Sequence, residues 1–195
     1  MTRIIAGTAG GRTLDVPASG TRPTSDRVRE ALFSRLAHAD VLDGATVWDL
    51  YAGSGALGLE AASRGAASVV LVEANARAAQ VCRRNAERLG LGQVRVAAQR
   101  VAAFLERASG PVDVVLVDPP YDLGEDDLAA ALGAVAPHLA VGSLLVVERT
   151  ARSPEPTWPS GVGRTGEKRY GETVLWYAEP LPTGAPGPAA PTVAG

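Results

Sequence analysis

The segment Val47-Trp48-Asp49-Leu50-Tyr51-Ala52-Gly53-Ser54-Gly55-Ala56-Leu57-Gly58 constrains the fold more than any other part of this 195-residue chain. It reads as a buried strand, a glycine-rich turn and the start of a helix. Gly53 and Gly55 let the backbone approach a ligand where a Cβ would collide. Gly58 permits close packing of the helix on the strand. A strand, a tight glycine turn and a helix in that order open an α/β unit, whose ligands sit at the carboxyl ends of the strands.

The rest of the chain follows that lead. Strands are expected at Thr46–Tyr51, Ser68–Glu73, Val94–Ala98, Val112–Asp118 and Ser143–Glu148. Several are apolar almost throughout, such as Val69-Val70-Leu71-Val72 and Val114-Val115-Leu116-Val117, as strands buried on both faces should be. Helical runs alternate with them near Ala56–Arg64, Ala76–Leu89, Val101–Ala108 and Asp126–Leu139, with Gly90 as the stop after Leu89. A C-terminal pair, Gly161–Arg169 and Glu172–Glu179, turns around Tyr170-Gly171 as an antiparallel hairpin. The expected architecture is a mostly parallel seven-stranded sheet covered by helices, over residues 40–179. Residues 1–39 should form an appendage: a β-hairpin from Arg3–Ala6 and Arg12–Val16, then a helix with Val28, Ala31, Leu32 and Leu36 on one face and Thr24 or Ser25 as its N-cap. Residues 180–195 hold five prolines and three glycines, the composition of a disordered tail.

Composition narrows the function classes. No stretch approaches the roughly 20 apolar residues of a membrane span, and the N-terminus lacks the apolar core of a secretory signal. A single cysteine, Cys82, cannot form an internal disulfide, and with His38 and His138 as the only histidines a zinc site is not expected. A cytoplasmic, metal-free monomer is the expectation. The formal charge is −2, but it is unevenly spread. Residues 1–35 carry six arginines against three acids, whereas residues 36–150 carry nine basic against fourteen acidic groups. A positive N-terminal arm points toward a polyanionic partner.

Read alone, Gly53-x-Gly55-x-x-Gly58 is also the dinucleotide fingerprint, and Glu73 after the second strand suits a ribose diol in either type of cofactor. Asp49, four residues before the first glycine, favours a different cofactor: Asp-x-x-x-Gly-x-Gly resembles motif I of class I methyltransferases, which bind S-adenosylmethionine. A second motif points the same way. Asp118-Pro119-Pro120-Tyr121 follows an apolar strand, and two consecutive prolines fix φ and remove two amide donors. The Asp118 side chain and the Pro119 carbonyl can accept both N–H bonds of an exocyclic amine, while Tyr121 stacks on the base. Such an amine is a poor nucleophile because its lone pair is delocalised into the ring. Holding both protons favours a pyramidal nitrogen, so the transition state gains most. The motif resembles the (Asp/Asn/Ser)-Pro-Pro-(Tyr/Phe) signature of amino-methyltransferases acting on bases or glutamine side chains.

Resemblance extends to the chain as a whole. Arg3-Ile4-Ile5-Ala6-Gly7, Gly10-Gly11-Arg12, Thr21 through Glu30, Asp49 through Glu60 and Arg169-Tyr170-Gly171-Glu172-Thr173 look like the bacterial 16S ribosomal RNA (guanine(966)-N(2))-methyltransferase family, over roughly residues 2–178. The block Arg22-Pro23-Thr24-Ser25-Asp26-Arg27 is its most discriminating part. The resemblance implies a Rossmann-like class I methyltransferase that acts on a flipped guanine of 16S rRNA in the small subunit or its assembly intermediate. It implies S-adenosylmethionine held by Asp49, Tyr51, Gly53, Gly55, Glu73 and Thr24, with Asp49 near the methionine end. Asp118, Pro119 and Tyr121 would be catalytic. Arg22, Arg27, Arg29, Lys168, Arg169 and Tyr170 would face RNA. Where relatives often carry Asp or Asn toward the adenine, this chain reads Ala98-Gln99-Arg100, so Gln99 is the expected substitute. Adenine-N6 DNA methylation and glutamine methylation of a release factor are the same-chemistry alternatives. A dinucleotide-dependent oxidoreductase would leave Asp118-Pro119-Pro120-Tyr121 unexplained, and a non-catalytic RNA-binding module would transfer no methyl group.

Overall fold

A computed structural model describes residues 2–17 and 25–182. Arg22 and Thr24, and the expected tail beyond Pro182, lie outside the described residues. Among the described residues thirteen segments follow one another, of which the first is helix α1 (Asp26–His38). Then come β1 (Thr46–Leu50), α2 (Ala56–Ser63), β2 (Ser68–Val72), α3 (Ala76–Leu89), β3 (Val94–Ala97), α4 (Val101–Leu105) and β4 (Val112–Val117). After these come α5 (Glu125–Val135), a 3-10 turn (Ala136–His138), β5 (Leu139–Thr150), β6 (Val162–Tyr170) and β7 (Thr173–Pro180). Among the described residues no helix is long and apolar enough to cross a membrane.

The seven strands form one sheet in the order β3-β2-β1-β4-β5-β7-β6. β1 to β5 pair in parallel, and β7 is antiparallel to both β5 and β6. The chain leaves β1 toward β2 and β3 on one side, then crosses back to β4 and β5 on the other. The carboxyl ends of β1 and β4 therefore flank the point where the winding reverses, the usual ligand crevice of an open α/β sheet. Their register aligns Asp49 with Leu116 and Leu50 with Val117, which sets the two following loops side by side.

Alternation along β1 divides the core. Val47 faces a layer built from α1, α2 and α3, with Leu32, Phe33, Leu59 and Ala86, while Trp48 and Leu50 face α4 and α5, with Phe104, Leu128 and Leu132. Helices α1 and α3 carry side-chain caps. Asn75 caps α3, its Oδ1 accepting from the N–H groups of Arg77 (2.9 Å) and Ala78 (3.1 Å), and Gly90 ends it at φ +72°. Ser25, not Thr24, caps α1 through the Val28 N–H (3.3 Å).

Several boundaries differ from expectation. The N-terminal hairpin exists as a turn closed by one antiparallel bridge, Arg3 to Thr13, without extended strands. α4 stops at Leu105 because the Arg107 N–H bonds the Phe104 carbonyl, which tightens the last turn. β5 starts at Leu139 rather than Ser143, with the β4–β5 register shifting between Val112 and Val114. β7 runs on to Pro180, and the Leu181 N–H bonds the Gly161 carbonyl beyond it.

The N-terminal segment is tied to the domain through buried polar groups. The Glu60 carboxylate on α2 accepts from the N–H groups of Ile5 (2.7 Å) and Ala6 (3.1 Å), and Ser63 Oγ bonds Ala6 and Ala9. Arg12 donates to the Leu89 carbonyl (3.0 Å) and to that of Arg88, at the carboxyl end of α3. Arg29, expected to face RNA, is 0% exposed. Its guanidinium donates to the Arg3 carbonyl (2.6 Å) and to Asp26 (2.8 Å), and burial lowers its pKa. That expectation is corrected: Arg29 occupies the same helix face as Phe33, one turn on, and joins α1 to the hairpin. Arg29→Ala should lower the unfolding free energy by about 2–4 kcal/mol, because it deletes charge-assisted hydrogen bonds and empties the buried space the side chain fills. Exposed Arg27→Ala should stay within about 0.5 kcal/mol. Urea melts of the two variants check the contrast, and equal effects would contradict the buried bridge.

Candidate active site

β1 ends in a loop that only particular backbones can make. Tyr51 lies at φ +67°, Gly53 at +58° and Gly55 at +82°. A side chain is costly in that region, so the strain at Tyr51 must be held by its surroundings. Several bonds do this. The Ala52 N–H bonds the Val72 carbonyl (2.9 Å), and the Gly53 N–H bonds Glu73 Oε2 (2.8 Å). Asn85 donates to the Ser54 carbonyl (3.0 Å), and the Cys82 thiol to the Gly53 carbonyl (3.2 Å). Asn85 also donates to the Asp15 carbonyl and accepts from the Asp15 N–H (both 3.0 Å), which fastens the N-terminal segment to the back of the same loop. Cys82 is fully buried, and burial pushes its thiol pKa up.

Gly58 sits where α2 crosses β1. A Cβ there would lie 2.2 Å from Leu71 Cδ2 and 3.1 Å from the Asp49 carboxylate. The open backbone instead donates its N–H to Asp49 Oδ2 (2.8 Å). Asp49 is 1% exposed, and its Oδ1 has no hydrogen-bond partner. Burial pushes its pKa up to about 8 against the Gly58 hydrogen bond, and the charges of Asp118 and Glu73 add to the rise. A buried acceptor without a donor costs free energy, so the site favours a ligand that brings a donor or a positive charge.

Asp49 lies on the floor of an open cavity of about 770 Å³. Tyr51–Ser54, Ala56 and Leu57 form one wall, and Asp118–Asp122 another. The remaining lining comes from Val16–Pro17, Ser25 and Val28, from Glu148 and Thr150–Arg152, and from Tyr170–Thr173. The motif after β4 is placed as its chemistry needs. Asp118 is half-buried, Pro119 is buried, and Tyr121 stands 69% exposed with its ring uncovered at the rim. Arg149 supports this loop from below: it is buried and donates to the Leu123 carbonyl (3.3 Å) and to Glu125, while the Leu123 N–H closes the turn on Pro120.

The structure thus brings Asp49, Tyr51, Gly53, Asp118, Pro119, Tyr121 and Tyr170 to one cavity, with Gly55 buried just behind its wall. Others fall elsewhere. Glu73 is not on the wall; its two oxygens accept from the N–H groups of Gly53 and Asn75 (2.7 Å), and each keeps a further lone pair. Gln99, the expected adenine contact, is off this cavity wall and lines a separate cleft with Trp48, Val70, Arg95 and Phe104. Lys168 and Arg169 are exposed on the edge strand β6, off the cavity wall. The strand-end residues Glu148 and Thr150–Arg152, and Ser25, are site residues that sequence reasoning missed. The rule that ligands gather at the carboxyl ends of the strands would have found the end of β5.

A seven-stranded sheet of this order, with a glycine loop over a buried acid and an Asp-Pro-Pro-Tyr wall across the switch point, defines a class I methyltransferase. Comparisons with known proteins agree. The chain belongs to the family described as Conserved hypothetical protein 95, whose model matches residues 2–179. It is 40% identical over 171 residues to the ribosomal RNA small subunit methyltransferase D of Escherichia coli K12, covering 87% of this chain and 85% of that one. The corresponding Haemophilus influenzae protein is 36% identical over 161 residues, covering 78% and 80%. Among solved structures, the Escherichia coli candidate methyltransferase yhhF superposes with a TM-score of 0.83 at 36% identity, over 92% of this chain and 97% of that one. A hypothetical protein of Thermus thermophilus gives 0.79, also at 36% identity, over 92% and 99%.

The state of Asp49 yields a pH test. Its pKa of about 8 in the fold stands above the ordinary 3.8, so its contribution to stability is complete below about pH 4 and is lost as pH rises toward 8. Without added ligand, the melting temperature of the wild type should fall relative to Asp49→Asn across that window and run parallel to it above pH 8. Parallel curves throughout would mean that Asp49 ionises as a solvated acid does.

Proposed function

We propose that this protein transfers a methyl group from S-adenosylmethionine to the exocyclic N2 amine of a guanine in 16S ribosomal RNA. The observation that carries the proposal is the pairing of two features across one cavity: a buried acid with an unsatisfied oxygen, and a rim loop offering a carboxylate, a stiffened carbonyl and an exposed aromatic ring. The small-subunit ribosomal RNA methyltransferases among the relatives support the choice of RNA.

S-adenosylmethionine supplies, when bound, an electrophilic methyl group on a positively charged sulfur. The residues present suit it. Asp49 would meet the positively charged end, where a cation lowers the cost of ionising a buried carboxyl. Tyr51 and Gly53 would line its path. Glu73, already bonded to the loop, keeps acceptor capacity for ribose hydroxyls. No phosphate need be accommodated, which favours this cofactor over a dinucleotide beside so many carboxylates.

The chemistry asked of the chain is orientation. Tyr121 offers a face for the flipped base, whose unstacking costs a few kcal/mol. Asp118 and the Pro119 carbonyl accept the two N–H bonds of the amine, which aims its lone pair away from the ring plane. As the amine takes up the methyl group, positive charge would build on its nitrogen, and the Asp118 carboxylate would stabilise that charge more than it stabilises the neutral amine. The surplus proton leaves along the hydrogen bond to Asp118. Arg149, by fixing the turn at Leu123, keeps these acceptors in place.

Two measurements test the proposal. Calorimetry should find S-adenosylmethionine or its demethylated product bound far more tightly than NAD, and the reverse order would refute the cofactor. With labelled cofactor, ribosomal RNA from cells lacking the protein should gain methyl at one guanine N2. Asp118→Ala should lower turnover by about 10²–10³-fold while cofactor affinity barely changes, by analogy with other preorganised polar groups. Equal losses in both would place Asp118 with the cofactor instead. Tyr121→Phe should keep activity and Tyr121→Ala should not.

A further inference from the structure

The cavity has an electrostatic problem. Its lining includes five acids, Asp49, Asp118, Asp122, Glu148 and Glu172. A lining of that sign suits a cationic cofactor and opposes a polyanion. Among the described residues that line it, Arg152 is the only cation.

None of the described arginines of the N-terminal arm lines the cavity, and three of them are committed elsewhere. Arg12 and Arg29 bind protein carbonyls, and the Arg35 guanidinium lies over the Tyr177 ring at 3.9 Å from its centroid. Arg152 differs from all three. It is 91% exposed, and its ion pair with Glu172 is long, at 4.0 Å, with that partner 79% exposed as well. Exposed pairs of this kind contribute little and exchange readily.

Its backbone is nevertheless held firmly. Thr150 Oγ1 accepts from the N–H groups of Arg152 (3.3 Å) and Ser153 (3.2 Å), and the Ser153 N–H also reaches the Thr150 carbonyl (3.1 Å). The Ala151 N–H bonds the Glu172 carbonyl (2.8 Å), and Arg169 donates to the Ala151 carbonyl (3.4 Å). The turn at the end of β5 is thus stapled to the turn between β6 and β7. A long, exposed guanidinium projects from a fixed base at the rim, on a different strand end from the Tyr121 loop.

We propose that Arg152 binds a backbone phosphate of the target nucleotide, and that this contact admits an RNA strand to an otherwise acidic cavity. A base inserted beside Tyr121 leaves its sugar–phosphate at the rim, where a fork of donors can hold it in two parallel hydrogen bonds. The inference rests on the RNA methyltransferase reading above. It adds the residue that positions the substrate strand, and it transfers part of that role from the N-terminal arm to the end of β5.

The test uses the full chain, ribosomal RNA from cells lacking the protein, and labelled S-adenosylmethionine. Wild type, Arg152→Ala and Arg152→Lys are compared for KM toward RNA, for kcat, for cofactor affinity, and for the salt dependence of RNA binding. Arg152→Ala should raise KM at least fivefold and make the slope of log K against log salt shallower by about one unit, the loss of one phosphate contact. Its kcat at saturating RNA and its cofactor affinity should stay within twofold of wild type. Arg152→Lys should restore the salt slope, because charge is kept, while recovering only part of the KM loss, because the fork is gone. Unchanged KM and slope in Arg152→Ala would overturn the proposal, as would a loss of cofactor affinity. Failure of the wild type to methylate RNA while still binding cofactor would overturn the functional reading itself, a result separable from any effect of Arg152.

Discussion

The hydrogen bond from the Gly58 N–H to the buried Asp49 carboxylate is the interaction on which the site depends. It can form only because α2 approaches β1 without a Cβ between them, against Leu71 and Asp49 itself. That approach sets the height of the glycine loop over the strand ends. The next turns of the same helix carry Glu60 and Ser63, which hold the N-terminal hairpin. A helix of eight residues therefore joins the cavity floor on one end to the appendage on the other. An additional methyl at Gly58 would displace both.

Charge is partitioned across the molecule. Carboxylates gather where the strands end, and the cations nearest to them are either buried in carbonyl contacts or set at the rim. Arg29 and Arg149 are both arginines inside the protein, and each ties a peripheral segment to the core: one the hairpin, the other the loop after the double proline. Buried guanidiniums suit this task because their several donors can satisfy backbone carbonyls and a carboxylate together. The cost of removing them from water is offset only while those partners stay in place, so each acts as a geometric specification rather than as general adhesive.

Much of this is legible in the sequence, for reasons that also explain what is not. Strands such as β2 and β4 stand out as apolar runs because both faces are covered, whereas the edge strand β3 is only partly buried, and α3 spans Ala76 to Leu89 as expected, with Gly90 as its stop. The start of β5 escapes a local reading because Gly142, at φ +90°, looks like a turn, and only pairing with β4 draws Leu139 into the sheet. Arg29 escapes it because counting charge assumes that charge lies outside. Its spacing from Phe33 and from its ion-pair partner Asp26 holds the contrary signal, while two further compensating groups, the Arg3 carbonyl and Glu60, are far off in the chain. The rim is hidden for a similar reason. Thr150–Arg152 and Tyr170–Thr173 become neighbours only because β7 inserts antiparallel between β5 and β6, a fact of topology that no local pattern carries.

Cys82 gives the glycine loop a built-in reporter. The thiol is sealed from solvent, its sulfur bonded to the Gly53 carbonyl and its ionisation opposed by burial. A thiol reagent can reach it only when the loop lifts away from α3, and only the thiolate reacts. Labelling of this single cysteine in the native protein would therefore proceed at a rate set by how often the loop opens, a local excursion with its own free energy below that of global unfolding. Anything that settles against Gly53 from the cavity side holds the loop down and slows the label. The one reactive atom of its kind in the chain thus reports occupancy of the site from behind the wall, without touching the face where the chemistry occurs.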